Sequence, residues 1–161
     1  MKSFVKVLLL FIITFNSGCA VLTKSTSSSA IVTIKTKQIR LNDTAFINRS
    51  FGSTEIEIYK AGVLALVIQS GRQICLDGEC FDEDIFVKRF FHETYPVDFI
   101  HTLFAYEPLN LEGATNEKKP DGFTQQIFKK NRYNITYRVE KKRLFFRDRT
   151  NKILIQIKET P

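Results

Sequence analysis

Two cysteines flank an Asp-Gly pair symmetrically in the stretch ICLDGECF, at Cys75 and Cys80. Such a pair could bind a metal, form a redox couple or close a disulfide. Four residues separate the cysteines, whereas zinc knuckles and thioredoxin-like motifs typically have two. Asp77-Gly78 between short apolar runs predicts a two-residue hairpin turn. That turn places the cysteines opposite each other as a non-hydrogen-bonded pair, close enough for a disulfide.

The N-terminus indicates in which compartment these cysteines reside. Lys2 and Lys6 make it positive, and the apolar run VLLLFIITF follows over residues 7–15. Nine residues are too few to span a bilayer but fit the core of a signal peptide. We therefore expect the chain to be exported.

The next residues, NSGCA, resemble a bacterial lipobox, in which the cysteine is lipidated and begins the mature chain. Asn16 departs from the pattern, which usually has Leu there. We expect residues 1–18 to be a lipoprotein signal peptide and Cys19 to carry the lipid. An ordinary signal peptide cleaved after Ala20 is the alternative. Ala20, rather than Asp, after the cysteine fits sorting to the outer membrane.

Export leaves Cys75 and Cys80 as an even pair in an oxidising space, which favours a disulfide. Closing so short a loop contributes only about 2 kcal/mol in the chain-entropy model. We interpret the pair as a local clamp on a hairpin. A reactive redox pair and two free thiols are the alternatives.

No familiar catalytic motif is present: the sequence lacks a nucleophile elbow, a phosphate-binding glycine loop and a zinc-protease helix motif. His92 and His101 are nine residues apart and fit surface or helix-end positions. The carboxylates of residues 82–84 fit a helix start rather than a calcium loop. We expect a protein that is not an enzyme and that has no metal and no cofactor.

Charge is distributed unevenly. The chain carries a net +7, which falls to +5 without Lys2 and Lys6. Residues 19–113 carry nine basic and twelve acidic groups, whereas residues 114–161 carry thirteen basic and five acidic groups. A solvated surface and attraction to anionic lipid headgroups both fit this basic third. Nucleic-acid binding would also fit the charge, but an exported lipoprotein rarely meets nucleic acid.

Hydrophobic periodicity predicts strands, then two helices, then strands again. Val63–Gln69 is a near-continuous apolar run and is expected to be buried on both faces. Asn42-Asp43-Thr44 is the expected turn between the first two strands, and Asp82 is the expected N-cap of the first helix. The expected strands are Ile31–Leu41, Ala45–Phe51, Glu55–Tyr59, Val63–Gln69, the hairpin Gln73–Phe81, Phe123–Lys129, Tyr133–Val139, Leu144–Arg147 and Ile153–Lys158. The expected helices are Glu83–Phe91 and Val97–Ala105, followed by a polar loop, Leu109–Asp121. In the second helix, one apolar stripe is expected to be buried, formed by Val97, Ile100, Leu103 and Phe104.

Segregated strands and helices indicate an α+β domain with an antiparallel sheet that wraps helices on one side. Residues 19–30 are expected to form the lipidated cysteine and a Ser/Thr-rich tether, and residues 31–161 a single domain. The mature length suits one domain with its own core.

The stretch from Ile56 to Pro108 resembles the bacterial lipoprotein carrier LolA and the outer-membrane receptor LolB. Its segments are IEIYKAGVLALVI, the Asp77-Gly78 hairpin, DEDIFVKRFF and YPVDFIHTLFAYEP, followed by the closing strands GFTQQIFKK and RLFFRDRTNKILIQIKE. Unlike the family, the chain has no Trp, and its cysteine pair and tether are its own.

The resemblance implies an antiparallel sheet curved into an incomplete barrel, with two short helices packed in its concave side. It also implies an apolar cavity for acyl chains, for which plain core is the alternative. A loop with an exposed apolar residue would promote membrane transfer, at Gly62, Val63 and Leu64. The expected lining residues are Ile56, Ile58, Leu66, Ile68, Phe86, Phe90, Ile100, Leu103, Phe104, Tyr137 and Ile155.

We therefore expect a monomeric lipoprotein of the outer membrane that chaperones acylated lipoproteins, with its domain in the periplasm or at the cell surface. Its partners would be the membrane, through its N-terminal lipid, and acylated lipoproteins or a periplasmic carrier, with no nucleic acid. An envelope interaction lipoprotein with a filled core is the competing hypothesis, as an adhesin, a scaffold or an accessory subunit of an assembly machine.

Overall fold

The computed structural model describes residues 25–50, 52–71 and 73–160. These residues form eleven strands and two short helices. In chain order they are β1 (Thr26–Lys35), β2 (Arg40–Ser50), β3 (Ser53–Lys60), β4 (Val63–Ser70), β5 (Ile74–Leu76), β6 (Glu79–Phe81), α1 (Glu83–Phe90), α2 (Phe99–Phe104), β7 (Ala114–Lys119), β8 (Gly122–Lys129), β9 (Tyr133–Glu140), β10 (Arg143–Asp148) and β11 (Ile153–Glu159). Neither helix is long and apolar enough to cross a membrane.

All eleven strands belong to one sheet, in the order β6-β5-β4-β3-β2-β1-β11-β10-β9-β8-β7. Every neighbouring pair is antiparallel. The edge strands β6 and β7 are consecutive along the chain, and the connection between them contains both helices. The sheet does not close on itself. This confirms the expected α+β fold, an antiparallel sheet curved into an incomplete barrel with two helices in its concave side.

Alternating side chains explain why these segments form strands. In β9 the residues Tyr133, Ile135, Tyr137 and Val139 are buried, and those between them face outwards. In β3 Ile56 and Ile58 share the buried face, as expected, and contribute to the same core. Each fully buried apolar side chain of this size contributes roughly 1.5–3 kcal/mol.

The hairpin β5–β6 forms as its turn residues predict. Asp77 and Gly78 both have positive φ, 50° and 82°. Cys75 pairs with Cys80 across the two strands, with their Cα atoms 4.0 Å apart. The two sulfur atoms lie 2.03 Å apart, at disulfide distance.

The turn between β1 and β2 differs from the expectation. It lies at residues 36–39, because the Thr36 hydroxyl accepts hydrogen bonds from the backbone N–H groups of Gln38 and Ile39. The residues expected to form the turn, Asn42-Asp43-Thr44, lie inside β2 instead. Asn42 accepts a hydrogen bond from the Thr33 hydroxyl across the strand pair. The sequence offered two sets of turn-forming side chains, and the prediction chose the wrong one.

The expected tether also needs a correction, because β1 begins at Thr26, five residues before the expected strand. Ala30 is buried, and Ser28 donates a hydrogen bond from its hydroxyl to Glu159 on β11. Ser28 thus shares the inner side of the strand with Ala30, whereas Ser27 and Ser29 are exposed on the outer side. The expected signal peptide, the lipidated Cys19 and residues 19–24 of the tether lie outside the described residues.

Strand β4 is not buried on both faces, contrary to the prediction. Ile68 is buried, but Val63 is 70% exposed and Leu64 is 49% exposed. None of the described segments covers the outer face of this part of the sheet, so an apolar run does not imply burial here.

Two further differences concern the second half of the chain. The second helix is shorter than Val97–Ala105, because the Phe99 N–H bonds to the Pro96 carbonyl in a tight turn first. Val97, expected on the buried stripe, is exposed, whereas Phe99 is buried. The expected polar loop Leu109–Asp121 contains strand β7 and begins with a buried leucine.

Candidate functional site

The concave side of the sheet is the candidate site, because the expected acyl-contact residues lie there. Ten of them are buried in one hydrophobic core, and Leu66 is partly buried against it. They come from β3, β4, both helices, β9 and β11, so the fold brings together residues up to about a hundred positions apart: Ile56, Ile58, Leu66, Ile68, Phe86, Phe90, Ile100, Leu103, Phe104, Tyr137 and Ile155.

A chain of aromatic rings links the helices to both halves of the sheet. The Phe86 and Phe90 rings of α1 have centroids 4.7 Å apart, and Phe90 contacts Phe81 of β6 at 5.7 Å. The series continues through the segment between the helices to Phe99 of α2, which lies 5.3 Å from Phe146 of β10. These contacts give the interior a continuous apolar and aromatic lining.

Phe99 is the residue of this lining that periodicity missed. It is fully buried, and its ring stacks on Tyr95 with centroids 4.4 Å apart. The expected stripe was counted from Val97, two residues before α2 begins. The density of aromatic residues between Phe90 and Phe104 was the available signal for its burial.

Tyr137 brings the only hydroxyl among the expected contact residues into this interior. The side chain is fully buried, and its hydroxyl has no hydrogen-bond partner among the described residues. Burial raises the pKa of Tyr137, with smaller contributions from Tyr106 and Glu107, so the hydroxyl keeps its proton at neutral pH. It can therefore act as a hydrogen-bond donor.

The helices are attached to the sheet by a small number of polar contacts. Near the C-terminal end of α1, the backbone carbonyl of Arg89 accepts a hydrogen bond from the Gln38 side chain in the β1–β2 turn. Between the helices, the Tyr95 hydroxyl donates to the Asp148 carboxylate at 2.6 Å. Burial and this carboxylate raise the pKa of Tyr95.

The two helices are joined to each other through Glu83. Its carboxylate accepts hydrogen bonds from the backbone N–H groups of Ile100 and His101, both at 3.0 Å. Burial raises the pKa of Glu83, although these two bonds partly oppose the shift. Asp82 occupies the N-cap position of α1 as expected but makes no capping hydrogen bond; its side chain accepts one from Gln73 instead.

The segment after α2 is also fixed to the sheet. Gln125 of β8 is fully buried, and its side-chain amide bonds to both the N–H and the carbonyl of Leu109. Further along, the Tyr106 hydroxyl and the Arg49 guanidinium both bond to one Glu159 oxygen at 2.7 Å. Sequence periodicity gave no sign of these polar contacts, since it records only apolar spacing.

The expected insertion loop lies at the β3–β4 turn. Ala61 and Gly62 have positive φ and form a tight turn, and Val63 and Leu64 project with large exposed fractions. Leu64 is the cross-strand partner of Tyr59, whose ring packs edge-on against Phe46. An apolar strip thus continues from the turn along the outer face of β3 and β2.

Four concavities formed by the described residues lie outside the interior. One of about 500 Å³ lies at the ends of β2–β5 among polar side chains, including Asn48, Thr54 and Ser70. The others lie on the outer face of β1, β9, β10 and β11. None of these four is lined by an expected acyl-contact residue.

Titratable side chains do not form a recognisable metal site in the described ranges, where no group of three potential ligands occurs. His92 bonds locally to Thr94, and His101 lies half-buried in α2. Comparisons of the chain with protein-family models, with curated proteins and with solved structures found no match in any of the three.

Proposed function

We propose that the protein is a membrane-anchored bacterial lipoprotein that binds the acyl chains of lipoproteins and delivers them to the outer membrane without enzymatic chemistry. The observation that supports this proposal is an open sheet around an apolar, Phe-rich interior, with two short helices across its gap. Each methylene transferred from water to such an interior contributes about 0.8 kcal/mol. An acyl chain can therefore be held without a covalent bond.

The interior is packed in this structure, so acyl chains enter when the two helices move away from the sheet. The contacts of Tyr95 and Gln38 would break in that movement, whereas the Glu83 bonds would keep the helices together. Inside, the Tyr137 hydroxyl would donate a hydrogen bond to an ester or amide carbonyl of the cargo. Val63 and Leu64 would contact the membrane during release.

Native mass spectrometry tests the proposal. Residues 20–161 include the whole described fold, and this fragment is exported from a bacterial host so that the cysteines can oxidise. We expect a mass increment from a bound lipid or acylated peptide, which Leu103→Trp removes because the larger ring fills the interior at α2. Ala105→Trp adds an indole to an exposed position just beyond the same helix and should keep the increment.

Circular dichroism of both variants establishes that they fold. A mass without any increment, unchanged after incubation with a triacylated lipoprotein, would contradict the carrier function. If the increment occurs, the full-length lipidated protein is then assayed for transfer of a fluorescent lipoprotein to vesicles.

One observation favours a second function, that of an envelope interaction lipoprotein with a filled core. The lining residues belong to one packed core, and none of them lines the four surface concavities described above. Crosslinking of the full-length protein in its host separates the two functions. An interaction protein should crosslink reproducibly to one envelope protein through its surface and should show no bound lipid.

A further inference from the structure

Five hairpin turns lie at the same end of the sheet. Because neighbouring strands are antiparallel, every second turn lies at this end. The last cross-strand pairs before these five turns are Lys35↔Arg40, Lys60↔Val63, Leu76↔Glu79, Lys129↔Tyr133 and Asp148↔Ile153. The β3–β4 turn with its exposed Val63 and Leu64 is one of the five.

Basic side chains are concentrated at this end, which we call the basic end. Nine exposed lysine and arginine residues occupy its turns and strand ends: Lys35, Lys37, Arg40, Lys60, Lys130, Arg132, Arg147, Arg149 and Lys152. None of the nine has a carboxylate of a described residue within 4.0 Å. A tenth, Lys129, pairs with Glu112.

Acidic groups at the basic end are fewer. The turns and strand ends carry three exposed or half-buried carboxylates, Asp43, Asp77 and Glu79, Glu112 beside Lys129 adds a fourth, and Asp148 is buried and hydrogen-bonded. The segment between the helices adds Arg89 on one side and Glu93 and Asp98 on the other. Eleven basic side chains, with Lys129 and Arg89 included, thus lie at this end beside seven carboxylates, so the balance is positive.

The opposite end of the sheet has no such excess. Its basic residues alternate with carboxylates, and two ion pairs form there, Arg49–Glu159 and Lys141–Asp121. The members of this mixed group are Arg49, Lys118, Lys119, Lys141, Lys142, Arg143 and Lys158, with Glu55, Asp82, Glu107, Glu117, Asp121, Glu140 and Glu159. The excess of basic side chains thus lies at the same end as the apolar β3–β4 turn.

From this arrangement we propose that the basic end binds an anionic membrane surface, with its lysine and arginine side chains on lipid phosphates and Val63 and Leu64 among the acyl chains. Exposed apolar side chains beside basic ones are what distinguishes a membrane surface from an acidic protein as the partner. Tyr59, next to Leu64, suits the headgroup level, where amphipathic aromatic rings are enriched. The inference goes beyond the carrier function, because it requires no cargo.

The position of the chain entry makes this a second membrane contact, distinct from the lipid anchor. Thr26 lies at the opposite end of the sheet, since it pairs with Arg49. Residues 20–25 can span at most about 25 Å from Cys19, whereas the ten residues of β1 extend about 33 Å. If Cys19 carries the lipid, the basic end reaches the same bilayer only when the strands lie along its surface.

Flotation with vesicles tests the proposal on residues 20–161, which have no lipid and retain the described fold. One set of vesicles is phosphatidylcholine alone, and the other contains about one third phosphatidylglycerol, which supplies the surface charge. We expect binding only to the anionic vesicles, and weaker binding as salt is added, because screening shortens the range of these charges.

Two matched triple variants locate the surface. Lys37→Gln, Arg40→Gln and Lys60→Gln together should weaken binding on the order of a hundredfold, since each charge near the surface is worth about fivefold. Lys118→Gln, Lys119→Gln and Lys142→Gln remove the same charge from the other end and should weaken it much less. Val63→Ser should lower the binding that remains at high salt, when the electrostatic part is screened.

Three outcomes would overturn the proposal: equal loss in both triple variants, no binding of the wild type to anionic vesicles, or binding to an acidic polypeptide such as polyglutamate without binding to vesicles. The last would assign the basic end to an acidic protein. Because no cargo is present in this assay, its failure would leave the mass-spectrometric result on the carrier function unaffected.

Discussion

The Tyr95 hydroxyl donates a hydrogen bond to the Asp148 carboxylate across 53 positions of sequence, at 2.6 Å and out of contact with solvent. This contact joins the segment between the two helices to the β10–β11 turn. Asp148 also accepts bonds from the backbone N–H groups of Asn134, Thr150 and Asn151, which hold its carboxylate in place. The helix pair is therefore fastened to a preorganised turn rather than to a mobile side chain.

Removing this hydroxyl should loosen the helices. Tyr95→Phe deletes a buried hydrogen bond to a charged group, so we expect the free energy of unfolding to fall by about 1.5–3 kcal/mol. Hydrogen exchange should show faster exchange of amides in α1 and α2 than in β9 and β10, because the contact anchors the helical segment. Urea denaturation measures the change in the free energy of unfolding.

Tyr59→Phe is the matched control, because it also removes a tyrosine hydroxyl bonded to a carboxylate, that of Glu57, on the outer face of the sheet. Water replaces that bond, so the control should change stability less. If both variants lose equal stability, or if exchange accelerates uniformly, the attachment of the helices by Tyr95 is wrong.

The parts of the fold that follow from the sequence are those with a strong local signal. Strand β9 has apolar residues at every second position, and β5–β6 has an Asp-Gly turn, so both follow from spacing alone. The membership of Phe86, Leu103 and Tyr137 in one interior was also predicted, although from a family resemblance rather than from periodicity.

The remainder depends on contacts between distant residues. Thr36, rather than Asn42, organises the first turn because its hydroxyl reaches two backbone N–H groups, which residue type alone does not show. Leu64 is exposed because none of the described segments covers the outer face of β4. The basic end could be recognised only from the strand registers, since its residues come from both halves of the chain.

The cysteine pair should stabilise the β5–β6 hairpin locally. Cys75→Ala with Cys80→Ala should lower the free energy of unfolding by about 2 kcal/mol, the chain-entropy value for so short a loop. Because this hairpin forms the edge of the sheet, the variant should still fold. The wild type, treated with a reductant before denaturation, should lose the same amount of unfolding free energy. The stability of the double variant should not change with the reductant. A free-thiol assay that finds two reactive cysteines in the exported protein would rule out the disulfide.

Low pH should destabilise the end of the sheet opposite the basic end, because it protonates Glu159. Burial tends to raise the pKa of its carboxyl, but the hydrogen bonds from Arg49, Tyr106 and Ser28 together bring it below the ordinary value of 4.5. The stabilisation is therefore complete above pH 4.5 and is lost as the pH falls through the lower folded pKa. Glu159→Gln should lower the free energy of unfolding by about 1–3 kcal/mol at pH 7. Below pH 4.5 the difference in stability between this variant and the wild type should become smaller.

Urea denaturation between neutral pH and pH 3 measures this difference, with Glu117→Gln on the exposed strand β7 as the control. The control should parallel wild type throughout. A difference between Glu159→Gln and wild type that stays constant down to the lowest pH would show that charge on Glu159 is not what holds Arg49 and Tyr106.

The approach of β8 to β9 at Gly122 should not tolerate a side chain. A Cβ atom added there would lie 1.9 Å from the carbonyl oxygen of Val139, so one strand must move. Gly122→Ala should therefore lower the free energy of unfolding by about 2–4 kcal/mol, as an overpacked backbone contact does. Gly62→Ala is the control, since its φ is also positive but no atom lies within 4 Å of the added Cβ, and it should cost about 1 kcal/mol. Equal losses would mean that backbone conformation, rather than the contact with Val139, explains the glycine at position 122.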